Sequence, residues 1–293
     1  MHRIISAPEQ IDLAIPALAG FTDFIGCWCG RVESGFFLVD PGPAATIPTV
    51  LEYLHYRNAS TLAAILLTHI HVDHAGGVGL LIENFPDTPI VCPARSIRHL
   101  IDPSHLATAS RTVLGTLMDH YGAILPVPAE RIIAAEESSW GSIPTPGHSP
   151  DHTAYLVDGY LFCGEALGVI CAPASLIYRR PATPPRFEPT PYTTSIARLG
   201  EVAAHTACFG HFGSLPLTPR LCTESLGQIT HWVASIRDNR ESSDQELIAH
   251  LTATDPLFGP WNELPETIRQ REEIFIANTF AGIRDYLVRH QGF

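Results

Sequence analysis

Three imidazoles and one carboxylate lie within six residues in the segment Thr68-His69-Ile70-His71-Val72-Asp73-His74. Side chains of these two types are common ligands of Zn, Fe and Mn, so the segment predicts a metal site. A polar surface loop is the alternative, but several half-buried imidazoles without a partner would each carry a desolvation cost. The apolar run at 62–67 and the glycine turn at 75–77 are typical of a buried strand that leads into a helix.

The spacing of these side chains indicates two metal ions. In an extended segment alternate side chains point the same way, which would turn His69, His71 and Asp73 to one side. The following turn would swing His74 toward a neighbouring point. Three further features also end strand-like runs and could face the same edge: a Pro/Gly loop at 145–152 with His148 and His152, an acid at Glu165, and a glycine-bracketed His211.

These blocks, in this order, resemble the metallo-β-lactamase superfamily, whose pattern is HxHxDH, a His in a GH[ST] loop, an acid after a strand and a late GH. The resemblance covers residues 14–214. It implies that one metal is held by His69, His71 and His148, and a second by Asp73, His74 and His211. It also implies a bridging acid at Glu165, where the family normally has Asp. The longer Glu could span two ions, bind one only, or tilt away and leave the second site weak.

The resemblance implies a hydrolase with two divalent ions, Zn, Fe or Mn, as cofactors. Such a pair lowers the pKa of a shared water from about 15.7 toward about 7, which supplies hydroxide to attack a carbonyl carbon. Asp73 would orient the water and move its proton to the leaving group, and His152 would contact the oxyanion or make a structural hydrogen bond. We expect an ester, thioester or lactone, because few charges are expected in the pocket.

Two other functions stay open at this point. A regulatory or ligand-sensing metalloprotein with vestigial hydrolysis would suit the substituted bridging acid and the helical tail. A mononuclear iron sulfur dioxygenase would suit a Glu165 that fails to bridge. The chain keeps His71 where the flavodiiron oxygen-reductase branch has Glu, which weighs against oxygen reduction. Within the superfamily the sequence is most similar to small uncharacterised bacterial and archaeal members.

The elements that must position these residues occur as strands, helices, strands and helices again. Strand patterns lie at 35–39, 62–67, 89–92, around 132, and at 140–143, 153–157 and 160–163. Helical patterns lie at 44–56, 75–84, 93–119, 221–237, 244–252 and 263–290. This order predicts an α/β fold, a four-layer αββα sandwich with a C-terminal helical extension. We expect a metallo-β-lactamase-like domain at 1–219 and an extension at 220–293 packed on the same domain.

The segment at 172–192 is rich in Pro and Arg, which predicts a long irregular loop that overhangs the metals. Its arginines, Arg179, Arg180 and Arg186, form the only local cationic cluster that could grip an anionic group. We expect substrate contacts from Tyr178, Arg179 and Phe187.

Several other residues have two interpretations. Asp40, which follows a strand, could orient a ligand histidine or could cap the next helix. The three histidines of the 93–120 region are predicted to be surface or packing residues: His99, His105 and His120. Cys27 and Cys29 are predicted to be small side chains of a strand, with a metal or redox pair as the alternative.

Composition and charge restrict the partners. The 293-residue chain is 45% hydrophobic and carries a formal net charge of -12, which argues against nucleic acid as a partner. The amino terminus does not have the pattern of a secretory signal, and no apolar stretch is long enough for a bilayer, so we expect a cytoplasmic protein that does not enter a membrane. That location weighs against β-lactam hydrolysis. We expect a small-molecule substrate, and the C-terminal helices could roof the pocket or form the interface of a homodimer.

Overall fold

The computed structural model of the chain describes residues 2–171 and 176–291. A first, six-stranded sheet has the spatial order β1 to β6. Its first three strands pair antiparallel and the last four, from β3 onward, pair parallel. Its strands are β1 (Ile4–Asp12), β2 (Gly26–Val32), β3 (Gly35–Val39), β4 (Leu62–Leu66), β5 (Ile90–Cys92) and β6 (Ile132–Ala134).

A second, five-stranded sheet has the spatial order β13-β12-β9-β8-β7. Only the neighbours β9 and β12 pair parallel in this sheet. Its strands are β7 (Ser142–Pro144), β8 (Thr153–Val157), β9 (Tyr160–Gly164), β12 (Thr206–Phe209) and β13 (Ser214–Pro216). A separate antiparallel ribbon consists of β10 (Val169–Cys171) and β11 (Tyr178–Arg180).

Helices cover the outer faces of both sheets. Those before the second sheet are α1 (Ile47–Tyr56), α2 (Val72–Ala75), α3 (Val78–Leu81), α4 (Ile97–Ile101), α5 (Ser104–Leu114) and α6 (Met118–Tyr121). Those after β11 are α7 (Pro189–Leu199), α8 (Pro219–Asp238), α9 (Asp244–Thr254) and α10 (Glu266–Gln291). No helix in the described part of the chain has the length and apolarity needed to cross a membrane.

Three buried clusters divide the molecule into four layers. Side chains alternate along a strand, so Phe37 and Val39 of β3 enter the cluster between the sheets while Phe36 and Leu38 face the helices. The second sheet shares its outer cluster with helices α7 to α10. The order helices, sheet, sheet, helices is the αββα sandwich that the sequence predicted.

Two local predictions were wrong. Asp73 lies on the short helix α2 and not in an extended segment, because the chain turns into a helix at Val72. The segment at 172–192 is not an irregular loop throughout. Residues 178–180 form β11, where the two arginines donate hydrogen bonds to acidic side chains. Pro189 begins α7, at a helix position where the missing N–H of proline costs no hydrogen bond. Residues 172–175 lie outside the described residues.

Candidate metal centre

The site forms where strands from both sheets end. Asp40 follows β3 and His69 follows β4, and the two strands are parallel, so both residues lie at the same sheet edge. Glu165 and His211 come just after β9 and β12, which are parallel in the other sheet. The Thr153 N–H donates to the Thr68 carbonyl over 2.8 Å and joins the two edges. The topology therefore brings residues that are far apart in sequence to one place.

Four donors form a first group: His69, His71, His148 and Glu165. The Nδ1 atom of His71 lies 3.1 Å from His69 Nε2 and 2.9 Å from His148 Nε2. Glu165 Oε2 lies 2.9 Å from His148 Nε2 and 3.4 Å from His69 Nε2. Three imidazole nitrogens and a carboxylate oxygen thus converge on one small volume.

A second group lies beside the first and contains Asp73, His74 and His211. Asp73 Oδ2 lies 3.9 Å from the Nε2 atoms of both histidines. Glu165 also reaches this group, with Oε2 3.4 Å from His74 Nε2 and Oε1 3.3 Å from His211 Nε2. The Glu165 carboxylate therefore faces donors of both groups, despite being longer than the Asp of the family pattern.

Protein acceptors fix the other ring nitrogen of four of these histidines. His69 Nδ1 lies 3.0 Å from Thr68 Oγ1, and His74 Nδ1 lies 3.1 Å from Asp40 Oδ2. The Nδ1 atoms of His148 and His211 face the backbone carbonyls of Ala182 and Phe24 at 3.1 and 3.3 Å. A proton held at Nδ1 leaves the Nε2 lone pair free, which is the tautomer that a metal ligand requires.

Asp40 orients both groups of donors. Its side chain is buried and accepts hydrogen bonds from the Thr68 N–H at 2.8 Å, the Thr68 hydroxyl at 2.7 Å and His74 Nδ1 at 3.1 Å. Thr68 in turn faces His69. Of the two interpretations of Asp40, these contacts match the one in which it orients a histidine of the candidate site.

The donor set fits metal ions. His74 Nε2 is buried and has no hydrogen-bond partner among the described residues. Leaving a buried polar atom unsatisfied costs roughly 1–3 kcal/mol, and a coordinated cation would remove that cost. Imidazole and carboxylate donors in this ratio suit Zn, Fe or Mn.

Electrostatics of the first group favour neutral imidazoles. Burial lowers the pKa of His71 to about 4, and the neighbouring His148 acts in the same direction. Burial also lowers the pKa of His69 well below its usual range, with His74 and His71 adding to the effect. Neutral imidazole is the form that binds metals, so these rings need not lose a proton at neutral pH to do so.

Electrostatics of the second group favour positive charge. Burial opposes ionisation of Glu165, but His148 and His211 outweigh it and hold the pKa of this carboxyl well below its usual range. Burial likewise opposes a charge on His74, yet the carboxylates of Asp73 and Asp40 raise the pKa of this ring well above its usual value. The group therefore favours the binding of a positive charge, either a proton or a metal ion.

His152 supports Glu165. Its Nδ1 lies 2.7 Å from Thr145 Oγ1, and its Nε2 accepts the Glu165 N–H over 3.2 Å. Both ring nitrogens are therefore in use, which leaves none for an oxyanion. Of the two predicted roles, the geometry matches the structural hydrogen bond.

A cavity of about 220 Å³ opens onto both groups of donors. His71, Asp73, His148, Glu165 and His211 line its floor. Its walls come from α5, the 180–186 segment and α10, and include the apolar residues Leu106, Val113, Leu114, Ala182, Pro184 and Phe275. A carbonyl compound with an apolar body could therefore reach the donors.

The three residues expected to contact substrate do not line this cavity. Tyr178 is buried against Phe258 and Trp261, and Phe187 packs against Tyr192 and Tyr286. Arg179 is buried and donates to Glu224 and Ser225. The structure therefore corrects these predictions: alternation along β11 turns Arg179 away from the cavity-lining Arg180, and aromatic packing holds Tyr178 and Phe187 in the core.

Sequence reasoning missed three residues of the cavity wall on α10: Phe275, Asn278 and Thr279. Their i, i+3, i+4 spacing places them on one helix face, but nothing in that pattern says which surface the face meets. Arg180 was named among the local arginines but not as a cavity residue. Alternation along a strand could have separated it from Arg179.

Comparison with known proteins identifies the family to which the chain is similar. Residues 23–211 match the sequence model described as "Metallo-beta-lactamase superfamily". The crystal structure of an archaeal metallo-beta-lactamase superfamily protein from Sulfolobus tokodaii superposes with a TM-score of 0.69 at 20% identity, over 95% of this chain and 98% of that one. A metallo-beta-lactamase family protein from Thermus thermophilus superposes with a TM-score of 0.63 at 19% identity, over 97% and 94%. Both likenesses concern the fold and extend through the C-terminal helices.

A sequence relative carries a functional name. The hydroxyacylglutathione hydrolase of Shewanella sp. (strain ANA-3) is 34% identical over 166 residues, which are 53% of this chain and 52% of that protein. The chain thus spans about half the length of this curated relative.

Proposed function

Because this chain belongs to the metallo-beta-lactamase superfamily, we propose that it is a metal-dependent hydrolase of an ester, thioester or lactone. One observation carries the proposal. Imidazole nitrogens of His69, His74, His148 and His211 all lie within 3.4 Å of a Glu165 oxygen, while protein acceptors hold the opposite nitrogen of each ring. Such an arrangement is costly without a cation and well suited to one.

His69, His71 and His148 would hold one divalent ion, Asp73, His74 and His211 a second, and Glu165 would contact both. Ions held there would lower the pKa of a coordinated water and polarise the substrate carbonyl. The proposed ions are Zn, Fe or Mn.

The remaining chemistry belongs to the chain. Asp73 lines the cavity, and its carboxylate would take the proton of the attacking water and deliver it to the leaving group. His152 keeps Glu165 in place through the backbone N–H, and Tyr192 adds a hydrogen bond from its hydroxyl to the Glu165 carbonyl over 3.1 Å. The walls supplied by α5 and α10 would exclude bulk water from the carbonyl.

A thioester is the substrate type we favour. The name of the Shewanella relative specifies an acyl group on glutathione, which is a thioester, and the apolar cavity walls would accept an acyl chain. The test is turnover of matched thioesters, oxygen esters and lactones by protein loaded with Zn, Fe or Mn. We expect turnover that a chelator abolishes and added metal restores, and loss of it in His71→Ala.

The control for that assay is His205→Ala, since His205 precedes β12 and lies at the opposite end of that strand from His211, with its ring near Thr206 and Tyr160. The control variant should keep full turnover. Absence of turnover on every substrate class, with each metal bound, would contradict the proposed hydrolase.

All seven cysteines are unpaired, buried thiols. Unpaired thiols are typical of reducing compartments, so we propose a cytoplasmic location. Recovery of the protein in a periplasmic or secreted fraction of its host would contradict this.

A further inference from the structure

A buried ion network forms one wall of the cavity. Arg180 Nε donates to Glu272 Oε2 over 2.5 Å, and Arg271 Nη2 lies 3.0 Å from the other oxygen, Glu272 Oε1. All three side chains are at most 2% exposed. Arg271 also donates to the Gly20 carbonyl at 2.6 Å, and its guanidinium lies over the ring of Phe24 at 3.9 Å.

The network has one positive charge in excess, since two guanidinium groups share a single carboxylate. Arginine does not lose its proton in proteins, so the excess cannot be relieved by titration. A buried charge without a counterion is costly. The neighbouring acid Glu165 favours the charge of Arg180 from a distance, but among the described residues its oxygens contact four histidine Nε2 atoms and not the guanidinium.

Arg180 has a free donor at this wall. Its Nε is used by Glu272 and its Nη1 donates to the Pro181 carbonyl over 3.3 Å. Its Nη2 is buried and has no hydrogen-bond partner among the described residues. Arg180 lines the same cavity as His148, Glu165 and His211.

Arg179, the preceding residue, shows that this is not a general property of arginines in β11. It also is buried, but it bonds Glu224 at 2.9 Å and Ser225 at 2.6 Å, and it does not line the cavity. One arginine of the strand is therefore satisfied by the protein, and the next, which lines the cavity, keeps a buried N–H group that no described residue accepts from.

We propose that Arg180 is a specificity-determining residue that binds a small anionic oxygen group of the substrate, such as a carboxylate; this rests on the proposed function. The anion would accept a charge-assisted hydrogen bond from Nη2 and neutralise the surplus charge of the network. The substrates are then carbonyl compounds, thioesters first, that carry a carboxylate within the reach of this cavity.

The carboxylate could lie on the acyl half or on the leaving group. Two substrate pairs separate these sources. A glutaryl thioester of ethanethiol and its glutaramide counterpart differ in charge on the acyl half only. An acetyl thioester of 3-mercaptopropionate and that of its amide differ in charge on the thiol half only.

For the zinc-loaded wild-type protein we expect the anionic member of one pair to have a kcat/KM about 10- to 100-fold higher than its neutral partner. Arg180→Met should remove most of that preference while leaving turnover of the neutral partner within about threefold. This variant leaves Arg271 and Glu272 as a balanced pair, so it should fold. Arg179→Met is the matched control, because it removes the same charge from the adjacent strand position, and it should keep the preference.

The result that would overturn the proposal is equal kcat/KM for the charged and neutral members of both pairs in the wild type, which needs no variant. An equal fall for both members in Arg180→Met would also overturn it, since that result describes a purely structural arginine. If no thioester is turned over, calorimetric binding of glutarate to the zinc-loaded wild-type, Arg180→Met and Arg179→Met proteins decides. Glutarate binding that weakens about 10-fold or more in Arg180→Met but not in Arg179→Met supports the anion site even where the proposed hydrolysis fails, and equal binding by the wild type and Arg180→Met overturns it.

Discussion

At the scale of single residues, a hydrogen bond to Nδ1 sets the ring orientation of four donor histidines. Asp40 has the widest influence, because it accepts directly from His74 and, through the Thr68 hydroxyl, acts on His69. One buried carboxylate thus sets the orientation of a histidine in each donor group. The tautomers that leave Nε2 free follow from these contacts.

Asp40→Asn tests this role. An amide has one acceptor oxygen and one NH₂ group, so it cannot accept both from the Thr68 N–H at the Oδ1 position and from the Thr68 hydroxyl and His74 at the Oδ2 position. We expect metal affinity to fall about 10- to 100-fold. Competition against a chromogenic chelator measures the change.

The control for that substitution is Asp87→Asn, since the Asp87 side chain is 94% exposed and lies 3.3 Å from Arg131 at the surface. It should leave metal affinity unchanged. An Asp40→Asn protein that binds metal as tightly as the wild type would show that the Asp40 contacts do not orient the donors.

The donor residues were predictable because their types and their places after apolar runs are local features. The protein acceptors that face the second ring nitrogen of these histidines were not predictable. The Ala182 carbonyl that faces His148 lies 34 residues away in sequence, and the Phe24 carbonyl that faces His211 lies 187 residues away. Such partners follow from the complete fold and leave no trace in a local pattern.

At the scale of elements, the end of β9 delivers Glu165 through an unusual backbone turn. Gly164 has φ of +51°, and a Cβ atom there would lie 2.5 Å from His152 Nε2 and 2.7 Å from Thr68 Oγ1. The left-handed conformation and the close approach both require glycine. The turn therefore fixes Glu165 against the hydrogen-bond network that supports it.

Gly164→Ala should lower the free energy of unfolding by about 2–4 kcal/mol, from the left-handed backbone and the clash together. It should also lower the metal content, since His152 and Glu165 must move. Urea denaturation and elemental analysis measure the two effects.

Gly227→Ala is the matched control, because Gly227 lies inside α8 and a Cβ there meets nothing within 4 Å. This change should stabilise the protein by about 0.5–1 kcal/mol. Equal stability of the two variants would contradict the account of the Gly164 turn.

Element prediction succeeded where burial dominates. The run predicted as a strand at 62–67 is β4 at Leu62–Leu66, since a continuous apolar run flanked by turns has few alternatives. It failed at α2, where four residues form a helix and Asp73 was expected in extended backbone. A single helical turn has too few residues for a period to show, and its formation depends on tertiary contacts.

At the scale of the whole molecule, the C-terminal helices and the second sheet form one core. Trp232, Leu251 and Phe280 are buried in the same cluster as Leu161 and Phe209. Helix α10 also reaches the cavity wall, where the position of a Gly282 Cβ would fall 1.9 Å from the Thr183 carbonyl oxygen. Fold and site therefore depend on the same helices, and no local pattern could have indicated this contact.

Phe280→Ala tests the shared core. Its side chain is fully buried and lies 5.7 Å, between ring centroids, from Trp232. Removing it should lower the free energy of unfolding by about 3–5 kcal/mol. Denaturation followed by tryptophan fluorescence and by circular dichroism should give coincident transitions.

Val288→Ala on the same helix is the control. Val288 is 59% exposed, so its loss should change stability by no more than about 0.5 kcal/mol. Separate transitions in the Phe280→Ala protein, one for the helices and one for the sheets, would contradict a single core.

The central claim is that Glu165 and the two groups of donors hold a pair of divalent ions. Metal content per chain, measured by elemental analysis after loading with zinc and removal of free metal, tests it most directly. We predict two ions per chain in the wild type, about one in His211→Ala, and fewer than one in Glu165→Ala. A wild-type chain that retains no zinc, or a Glu165→Ala chain that still retains two ions, would contradict the claim.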